Sequence, residues 1–371
     1  MRRKAKCRMR PGTIAALIAL LACLACVWAF SLDSALAEEV YFRAFFARIV
    51  PITAPIADAI PFSFHEALTI FFLVLGLRAL VRVASRLSCP RMVLFSALKR
   101  AVRRFFIIAV WGIVLFYLLW GFNYFRPRLI TMNAYADEHL HKNAVLALLA
   151  DCNHALRKLE KSGHLAFRDE MIQDIDRAVM KVTYHLDGVH VHSAKRIKYF
   201  LSGFLSLGTF TGVTLPFLPE AHISAELYDH EKAFIIAHEK AHLYGRALES
   251  EANYIAILAC LSSDKAAVRY SGVYTLTALL LASLPRAERL SWYSQMSRYT
   301  QRNFQAPAIR RLSKNKRLVS FLRRFYSAYL MTQRVEDGIA NYSAALKLVL
   351  NFKITRSRTL HLSPDGRMLW E

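Results

Sequence analysis

Apolar residues are distributed unevenly along the chain. Three nearly uncharged apolar stretches lie in its first third, at about 14–32, 62–80 and 105–124, and each is long enough to cross a bilayer as a helix. Tryptophan and tyrosine residues, which favour the membrane interface, lie in the third stretch. The pattern therefore predicts a membrane anchor over residues 1–124 that contains three transmembrane helices.

From residue 125 onward the pattern is that of a folded domain. Apolar residues recur at helical spacing from Tyr135 to Lys161 and from Phe167 to Val182. Glycine and proline punctuate short β-branched and aromatic runs between Leu186 and Ala233, which predicts a small sheet. Helices are expected again from about Glu231 to Phe352. Breaks are expected near Gly245, Ser262, Pro285, Pro307 and Gly338.

The predicted fold class is thus a mostly α membrane protein. Three N-terminal transmembrane helices are followed by an α+β, predominantly helical domain over residues 125–371. The charges of the connecting segments predict its orientation. Seven cations crowd the connection from Arg82 to Arg104, and the N-terminus is also basic, whereas the loop from Asp33 to Pro61 is acidic. By the positive-inside rule, the N-terminus is cytoplasmic and the C-terminal domain lies outside.

The start of the acidic loop has the pattern of a signal-peptide cleavage site. Ala35-Leu36-Ala37 precedes Glu38, and small residues at these spacings are typical of such sites. Cleavage would remove the first span and leave the topology of the rest unchanged. We favour an uncleaved anchor, which makes the chain a multi-pass protein of the cell membrane.

The composition and net charge of the chain indicate which classes of binding partner to expect. Hydrophobic residues make up 55% of the chain, and the formal net charge is +23. The cations are scattered between apolar spans and helices, with no nucleic-acid-binding motif beside them, so nucleic acid is not expected. The lipid bilayer is the first partner, and anionic lipid or an anionic wall polymer is the second. The densest basic run, from Arg310 to Arg324, is expected to be a solvated helix face.

The cysteines do not form a disulfide framework. Cys23 and Cys26 have CxxC spacing, but they lie inside an uncharged apolar span, where a redox or zinc role is not expected. Cys152 and Cys260 fall in the C-terminal domain. They either form a bridge outside the cytoplasm or are separately buried small residues.

The segment His238-Glu239-Lys240-Ala241-His242 contains the candidate residues for metal binding and catalysis. Histidines four positions apart in a helix project from one face, so His238 and His242 can present two imidazoles to one zinc ion. Glu239 lies beside the open coordination position and can take a proton from metal-activated water. This is the logic of the HExxH motif of zinc metallopeptidases.

The surrounding residues support a helix with a third ligand close by. An apolar run precedes His238, and Gly245 is placed to end the helix as a C′ glycine. A new helix is then predicted to begin near Glu249 and Glu251, either of which could complete a three-ligand site. The alternative is a buried helix whose two histidines are satisfied by hydrogen bonds. His190 and His192 form a weaker rival pair in a strand-like segment.

The sequence resembles the DUF3810 family of bacterial membrane proteins, which is thought to be related to zinc metallopeptidases. The resemblance covers most of the chain. It is carried by Pro61-Phe62-Ser63, the segments 120–127 and 212–217, Glu220-Ala221, His238-Glu239-x-x-His242-x-x-Gly245, Glu249-x-Glu251-Ala252-Asn253, Arg269-Tyr270-Ser271, Asp337-Gly338 and Tyr342.

The resemblance implies a zincin-like domain with a gluzincin-like arrangement. Glu249 is then the third zinc ligand, with Asn253 one helical turn later in support. Lys240 departs from the pattern, which usually has an apolar residue there. Two positions after His238 it faces away from the metal, so it bears on packing rather than on chemistry.

Further candidates concern substrate binding. The segment from Ala221 to Leu227 is either an edge strand to which an extended substrate adds, or an exposed edge with no substrate. Arg269, Tyr270 and Tyr342 are candidates to stabilise an oxyanion, although each is also typical of a core aromatic or a surface charge.

Together these observations predict a membrane-anchored zinc peptidase. We expect it to hydrolyse a peptide or protein substrate outside the cytoplasm, with Zn²⁺ bound by His238, His242 and Glu249 and with Glu239 as general base. The alternative is a non-catalytic membrane receptor or scaffold that retains a metal site. In a third reading, a surface protein binds wall polymer through Arg310 to Arg324, and the HExxH motif is incidental.

Overall fold

The computed structural model describes most of the chain. The described residues are 10–86, 91–129, 138–199, 211–215, 217–312, 316–317, 319–320, 324, 345–350, 363 and 366–367. Within them, four helices are long and apolar enough to cross a membrane. These are α1 (Pro11–Leu32), α2 (Ser34–Ala59), α3 (Phe64–Ala84) and α4 (Arg91–Leu119). The predicted spans fall on α1, α3 and the second half of α4, which is followed by a 3₁₀ turn at Gly121–Phe125.

The sequence predicts a loop from Asp33 to Pro61, but most of this segment forms helix α2. The Asp33 carboxylate accepts the backbone N–H of Ala35 at 2.9 Å, which caps the start of the helix. The middle, Ala37–Phe46, is π-helical. Pro51 and Pro55 lie inside this helix, where each proline removes one helical hydrogen bond. The helix continues through both, because apolar residues on one side of it are buried: Tyr41, Phe42, Phe46, Val50 and Ala54.

The chain divides into two compact units that interleave along the sequence. The first unit comprises residues 1–46, 64–127 and 216–218, and the second comprises 47–63, 128–215 and 219–371. The second half of α2 therefore belongs with the C-terminal residues.

Three polar contacts hold the segment 58–63 within the second unit. The Asp58 carboxylate accepts the backbone N–H groups of Lys195 and Arg196 at 2.9–3.0 Å. The Lys198 ammonium donates to the carbonyl of Phe62 at 2.9 Å. The Ser63 hydroxyl lies 2.9 Å from Nε2 of His222, which is fully buried. Helical periodicity shows none of these contacts, since the partners lie more than a hundred residues apart.

In the first unit, a salt bridge connects the segment that follows α4 to helix α2. The Arg126 guanidinium pairs with Glu38 at 2.8 Å and lies 3.3 Å from the ring centroid of Phe42. Phe122 packs edge-to-face on Phe30 of α1, with ring centroids 5.1 Å apart. These contacts give a structural role to the 120–127 segment that carries part of the family resemblance.

Besides the second half of α2 and a helical segment at 345–350, the described residues of the second unit include seven helices and one small sheet. The helices are α5 (Glu138–Lys161), α6 (Met171–Asp187), α7 (Asp229–Leu243), α8 (Glu249–Leu261), α9 (Ala266–Ser283), α10 (Arg286–Ser294) and α11 (Arg298–Leu312). The sheet expected between Leu186 and Ala233 is present. Its strands are β1 (Ile197–Lys198), β2 (Gly212–Leu215) and β3 (Glu220–Ile223). Strand β3 is central, parallel to β1 and antiparallel to β2.

Helices α7, α8 and α9 form the core of the second unit. Nearly every residue of α8 is buried, polar ones included. Gly272 permits a close approach of α9 to α8, since a Cβ atom there would lie 2.6 Å from Cβ of Cys260. Cys152 and Cys260 are both buried and free. Of the two possibilities that the sequence left open, the structure therefore has separately buried cysteines.

The break expected at Pro307 is absent, because α11 continues through it. Proline at this position leaves the carbonyl of Asn303 without its helical donor. The hydroxyl of Tyr274 donates to that carbonyl at 3.2 Å and satisfies it. A tertiary hydrogen bond thus compensates for the helical one, which a sequence pattern cannot reveal. The break expected at Gly338 lies outside the described residues.

The basic run from Arg310 to Arg324 is only partly a solvated face. Arg310 forms a bidentate pair with Glu231 at the start of α7, with N–O distances of 2.6 and 2.9 Å. Lys316, Arg317 and Arg324 are exposed. The side chains of the other cations of the run lie outside the described part of the chain.

Candidate metal centre

Helix α7 presents His238 and His242 on one face, and a tight turn ends it directly afterwards. The N–H of Gly245 donates to the carbonyl of His242 at 2.9 Å, and the N–H of Arg246 donates to that of Ala241 at 3.2 Å. This is a Schellman turn. Gly245 has φ +87°, the left-handed conformation that glycine adopts without strain. The expected helix end at Gly245 is therefore confirmed.

The turn fixes the orientation of the His242 ring. It brings the carbonyl of Arg246 within 2.7 Å of Nδ1 of His242. Burial lowers the pKa of His242 to about 4, against the opposing effect of Glu249. The imidazole is therefore neutral at pH 7 with its proton on Nδ1, where it donates to the carbonyl. Its Nε2 is then the unprotonated nitrogen, as a metal ligand requires, and it lies 3.2 Å from Nε2 of His238.

Glu249, the first residue of α8, brings a carboxylate to the two imidazoles. Nε2 of His238 lies 3.2 Å from Nε2 of His242 and 3.2 Å from Oε2 of Glu249. Nε2 of His242 lies 3.8 Å from Oε1 of Glu249. These three residues form the group within the described chain whose ligand atoms could hold a metal ion, all within 4.8 Å of one another.

The donor set fits zinc. Zinc bonds to imidazole nitrogen at about 2.0–2.1 Å, so the ligand atoms of a tetrahedral site lie about 3.3–3.4 Å apart. The two imidazole nitrogens lie 3.2 Å apart, and each lies 3.2 or 3.8 Å from one oxygen of Glu249, which is close to this value. Two imidazoles and one carboxylate leave a fourth position open, as in catalytic zinc sites. The Glu249 side chain is 25% exposed, so solvent reaches the group.

His238 is held from α8 rather than by a backbone carbonyl. Burial lowers its pKa, but hydrogen bonding and charge attraction to Glu249 raise it above the ordinary value. The Asn253 side chain also raises the pKa of His238. The Nδ1 atom of His238 is buried and has no hydrogen-bond partner among the described residues.

Glu239 is buried beside the group and is held by β2. The Thr214 hydroxyl lies 2.9 Å from Oε2 of Glu239 and 2.9 Å from its backbone carbonyl. Burial raises the pKa of Glu239 to about 7, and the positive charge of His238 opposes that rise. A hydroxyl can donate to a carboxylate and accept from a carboxylic acid. Thr214 can therefore hold Glu239 in both protonation states.

Gly212 provides the space that Glu239 occupies. A Cβ atom at position 212 would lie 2.4 Å from Oε1 and 2.8 Å from Cδ of Glu239. Any side chain there would displace the carboxylate. Sequence reasoning missed Gly212 and Thr214 as site residues. The signal was the 212–217 segment of the family resemblance, but nothing in its pattern linked it to a residue 25 positions later.

Glu251 forms its contacts away from the candidate metal group. Its Oε2 lies 3.2 Å from the Arg246 guanidinium, and its Oε1 accepts the backbone N–H of Leu129 at 2.8 Å. Arg246 also pairs with Asp187 at the end of α6. The charge of Glu251 is thus used in a buried ion-pair network, while Glu249 faces the histidines.

Lys240 points away from the metal group, as expected. Its side chain is fully buried, and its ammonium lies 3.0 Å from the Asp176 carboxylate of α6. It also donates to the carbonyls of Ala194 and Lys195, the latter at 3.0 Å. The lysine thereby ties the histidine helix to α6 and to the loop that Asp58 holds from the other side.

The rival pair His190 and His192 is exposed and does not converge. The two rings are nearly parallel, with centroids 6.4 Å apart, and His190 stacks on Tyr184 at 3.9 Å. The segment is not a strand. Within the described chain no carboxylate or cysteine joins these histidines in a metal-binding group.

Two oxyanion candidates are engaged in other contacts. The Tyr270 hydroxyl accepts from the Asn303 amide at 2.9 Å and lies 3.2 Å from the Thr300 hydroxyl. Arg269 donates to the carbonyl of Ser263 at 2.8 Å. Tyr342, the third candidate, lies outside the described residues.

The expected edge strand is wrong, because residues 220–223 form the central strand of the described sheet. The residues that follow it, Ser224 to Tyr228, are not in a strand. In the described sheet β2 is the edge strand on the side of Glu239.

A family model described as "Protein of unknown function (DUF3810)" matches residues 41–350, which is most of the chain. The chain belongs to the DUF3810 family. Its match begins within α2 and covers residues 47–63, 128–215 and 219–350 of the second unit, with every residue of the candidate metal group. No match was found among curated proteins or among solved structures.

Proposed function

We propose that this DUF3810 protein is a membrane-anchored, zinc-dependent peptidase. The observation that carries the proposal is the convergence of His238, His242 and Glu249 within 4.8 Å, with a second carboxylate, Glu239, buried beside them and hydrogen-bonded to Thr214 instead. Three ligands and one separate base are the parts that metal-assisted hydrolysis requires. A structural zinc site has no use for the separate base.

The chain's own residues have distinct tasks. A bound zinc ion would supply Lewis-acid activation of a water molecule and of the substrate carbonyl. Glu239 accepts the proton of the attacking water and then donates it to the leaving amine. A pKa near 7 suits both steps. Thr214 and Gly212 keep the carboxylate in position, and the carbonyl of Arg246 keeps Nε2 of His242 directed at the ion.

The interleaved chain supports an orientation with the site outside the cytoplasm. Residues 47–63, 128–215 and 219–371 form one compact unit, which supports placing them on one side of the membrane. The chain between them must then cross an even number of times, and α3 and α4 provide two crossings. Their connection is rich in arginine, which favours the cytoplasm. The second unit is therefore proposed to lie on the opposite side.

This orientation predicts the behaviour of reporter fusions. A cytoplasm-dependent reporter fused after Arg86 should be active, and the same reporter fused after Tyr124 should be silent, because α4 separates the two positions. Reporter activity in whole cells is the measurement, with protein amounts checked by immunoblot. An active fusion after Tyr124 would place the site in the cytoplasm and overturn the orientation.

The third ligand is predicted to be Glu249. Glu249→Gln removes a charged ligand and is expected to weaken zinc binding by about a hundredfold. Glu251→Gln is the matched control, since it makes the same chemical change two residues away on another side of α8. It should retain zinc, although the loss of the Arg246 ion pair should lower its stability.

Zinc content and affinity are measured on the full-length protein in detergent, by elemental analysis and chelator competition. Loss of zinc from Glu251→Gln but not from Glu249→Gln would move the ligand to Glu251. Equal retention by both variants would mean that another residue completes the site.

A further inference from the structure

A cluster of cations in the first unit has no carboxylate partner among the residues that the structure describes. From residue 67 to residue 136 the sequence contains ten arginines and lysines and no acidic residue. Eight of these lie at the end of α3, in the connection and in the first half of α4: Arg78, Arg82, Arg86, Arg91, Lys99, Arg100, Arg103 and Arg104. Six of the eight are exposed, and none forms a salt bridge with any described residue.

The contrast with other cations of the chain is clear. Arg126, Lys198, Lys240, Arg246 and Arg310 each pair with a carboxylate. In the described part of the chain, the positive charge on α3 and α4 is therefore not used in ion pairs. It is available to an anionic partner.

Four of these cations share one face of α4. At 100° per residue, Lys99, Arg100, Arg103 and Arg104 lie within about 140° of arc. We call these four residues the basic face. The side of α4 opposite it is apolar and exposed, with exposed fractions of 69% for Phe95, 49% for Leu98, 59% for Val102 and 73% for Phe105. The first half of α4 is thus an amphipathic basic helix.

Helix length places this half at the height of lipid headgroups. The 29 residues of α4 extend about 44 Å, whereas the hydrocarbon core of a bilayer is about 30 Å thick. The helical residues from Phe105 to Leu119 extend about 22 Å, and the 3₁₀ turn at Gly121–Phe125 adds about 10 Å. When these residues together span the core, the basic face lies in the headgroup layer. Arginine forks match phosphate oxygens in geometry and charge, and the neighbouring apolar side chains match acyl chains.

We propose that the basic face binds the headgroups of anionic glycerophospholipids, with Phe95, Leu98, Val102 and Phe105 against their acyl chains. Nucleic acid would satisfy the cations but leave these four apolar side chains in water. The lipid satisfies both sides of the helix. The site belongs to the membrane anchor and does not depend on the proposed peptidase activity.

The test compares two lipids that differ in charge. Full-length protein in an uncharged detergent is titrated with short-chain phosphatidylglycerol or phosphatidylcholine, and bound lipid is counted by native mass spectrometry. Phosphatidylglycerol should bind at least about tenfold more tightly, and the difference should shrink at high salt. Equal affinity for the two lipids overturns the proposal, and this comparison needs no variant.

A double variant locates the site. Lys99→Gln with Arg103→Gln should weaken phosphatidylglycerol binding about 25-fold, at about fivefold per cation. Arg286→Gln with Arg289→Gln is the control, because it removes two exposed cations from α10 and should change nothing. An equal loss in both double variants would show a general charge effect and contradict the site.

Two competitors define the ligand. Inorganic phosphate at about ten times the lipid concentration should not displace phosphatidylglycerol, because it offers nothing to the apolar side chains. Displacement by phosphate would assign the face to a free anion. A short single-stranded oligonucleotide that binds more tightly than the lipid would assign it to nucleic acid. Either result overturns the proposal.

Discussion

The variant Glu239→Gln is expected to lose peptide hydrolysis and to keep its zinc. Glutamine has the shape of glutamate but cannot accept the proton of the attacking water. The carboxylate is bonded to Thr214 and is not one of the three converging groups, so the ligands are untouched. The expected loss in kcat/KM is about a thousandfold. Full-length protein is assayed with a quenched-fluorescence peptide library, beside elemental analysis for zinc.

Two further variants separate chemistry from packing. Gly212→Ala should push the Glu239 carboxylate aside and reduce turnover on the order of a hundredfold with zinc retained. Glu170→Gln makes the same chemical change as Glu239→Gln at an exposed position and should have no effect. Undiminished turnover in Glu239→Gln would end the peptidase assignment. A wild-type protein that binds zinc tightly but cleaves nothing in the library would instead favour the receptor or scaffold.

The second large effect is expected on stability, from Lys240→Met. Methionine fills the same volume but leaves the Asp176 carboxylate and the carbonyls of Ala194 and Lys195 without their cation. Breaking a buried pair costs about 3–5 kcal/mol. Asp176 keeps its bond to Tyr244 and some exposure, so about 3 kcal/mol is expected. For a unit of this size the unfolding midpoint should fall by about 6–12 °C in a thermal scan.

The same helix offers a control for this prediction. Lys232 pairs with Asp229 at 2.9 Å on the exposed side of α7, and Lys232→Met should cost no more than about 1 kcal/mol. Adding Asp176→Asn to Lys240→Met should recover part of the lost stability, because the double variant no longer contains an uncompensated carboxylate at position 176. Similar midpoints for Lys232→Met and Lys240→Met would show that the Lys240 cation does not stabilise the fold.

Local patterns of the sequence predicted much of the candidate site. The HExxH spacing alone placed His238 and His242 on one face, and helical geometry separated Glu249 from Glu251 by about 200°. The end of α7 at Gly245 followed from the same reasoning, because a C′ glycine acts within one turn. Each of these features depends on residues only a few positions apart.

Features that depend on distant residues could not be predicted in this way. The helical conformation of residues 34–59 depends on burial of one side, which overrides Pro51 and Pro55. Pro307 is tolerated because of a hydroxyl on α9. The contact of Thr214 with Glu239 depends on the order of the strands in the sheet. Strands this short have too few residues for a sequence pattern to predict that order.

The interleaving of the two units has a consequence for proteolysis and for biosynthesis. One backbone cut after Pro127 would not release the second unit, because residues 47–63 remain joined to α1 and α3 by the chain itself. Shedding would need a further cut on each side of that segment. During synthesis, Asp58 emerges 137 residues before its partner Lys195, and α3 and α4 are made in between. The second unit can therefore complete its folding only after both of those helices have been synthesised.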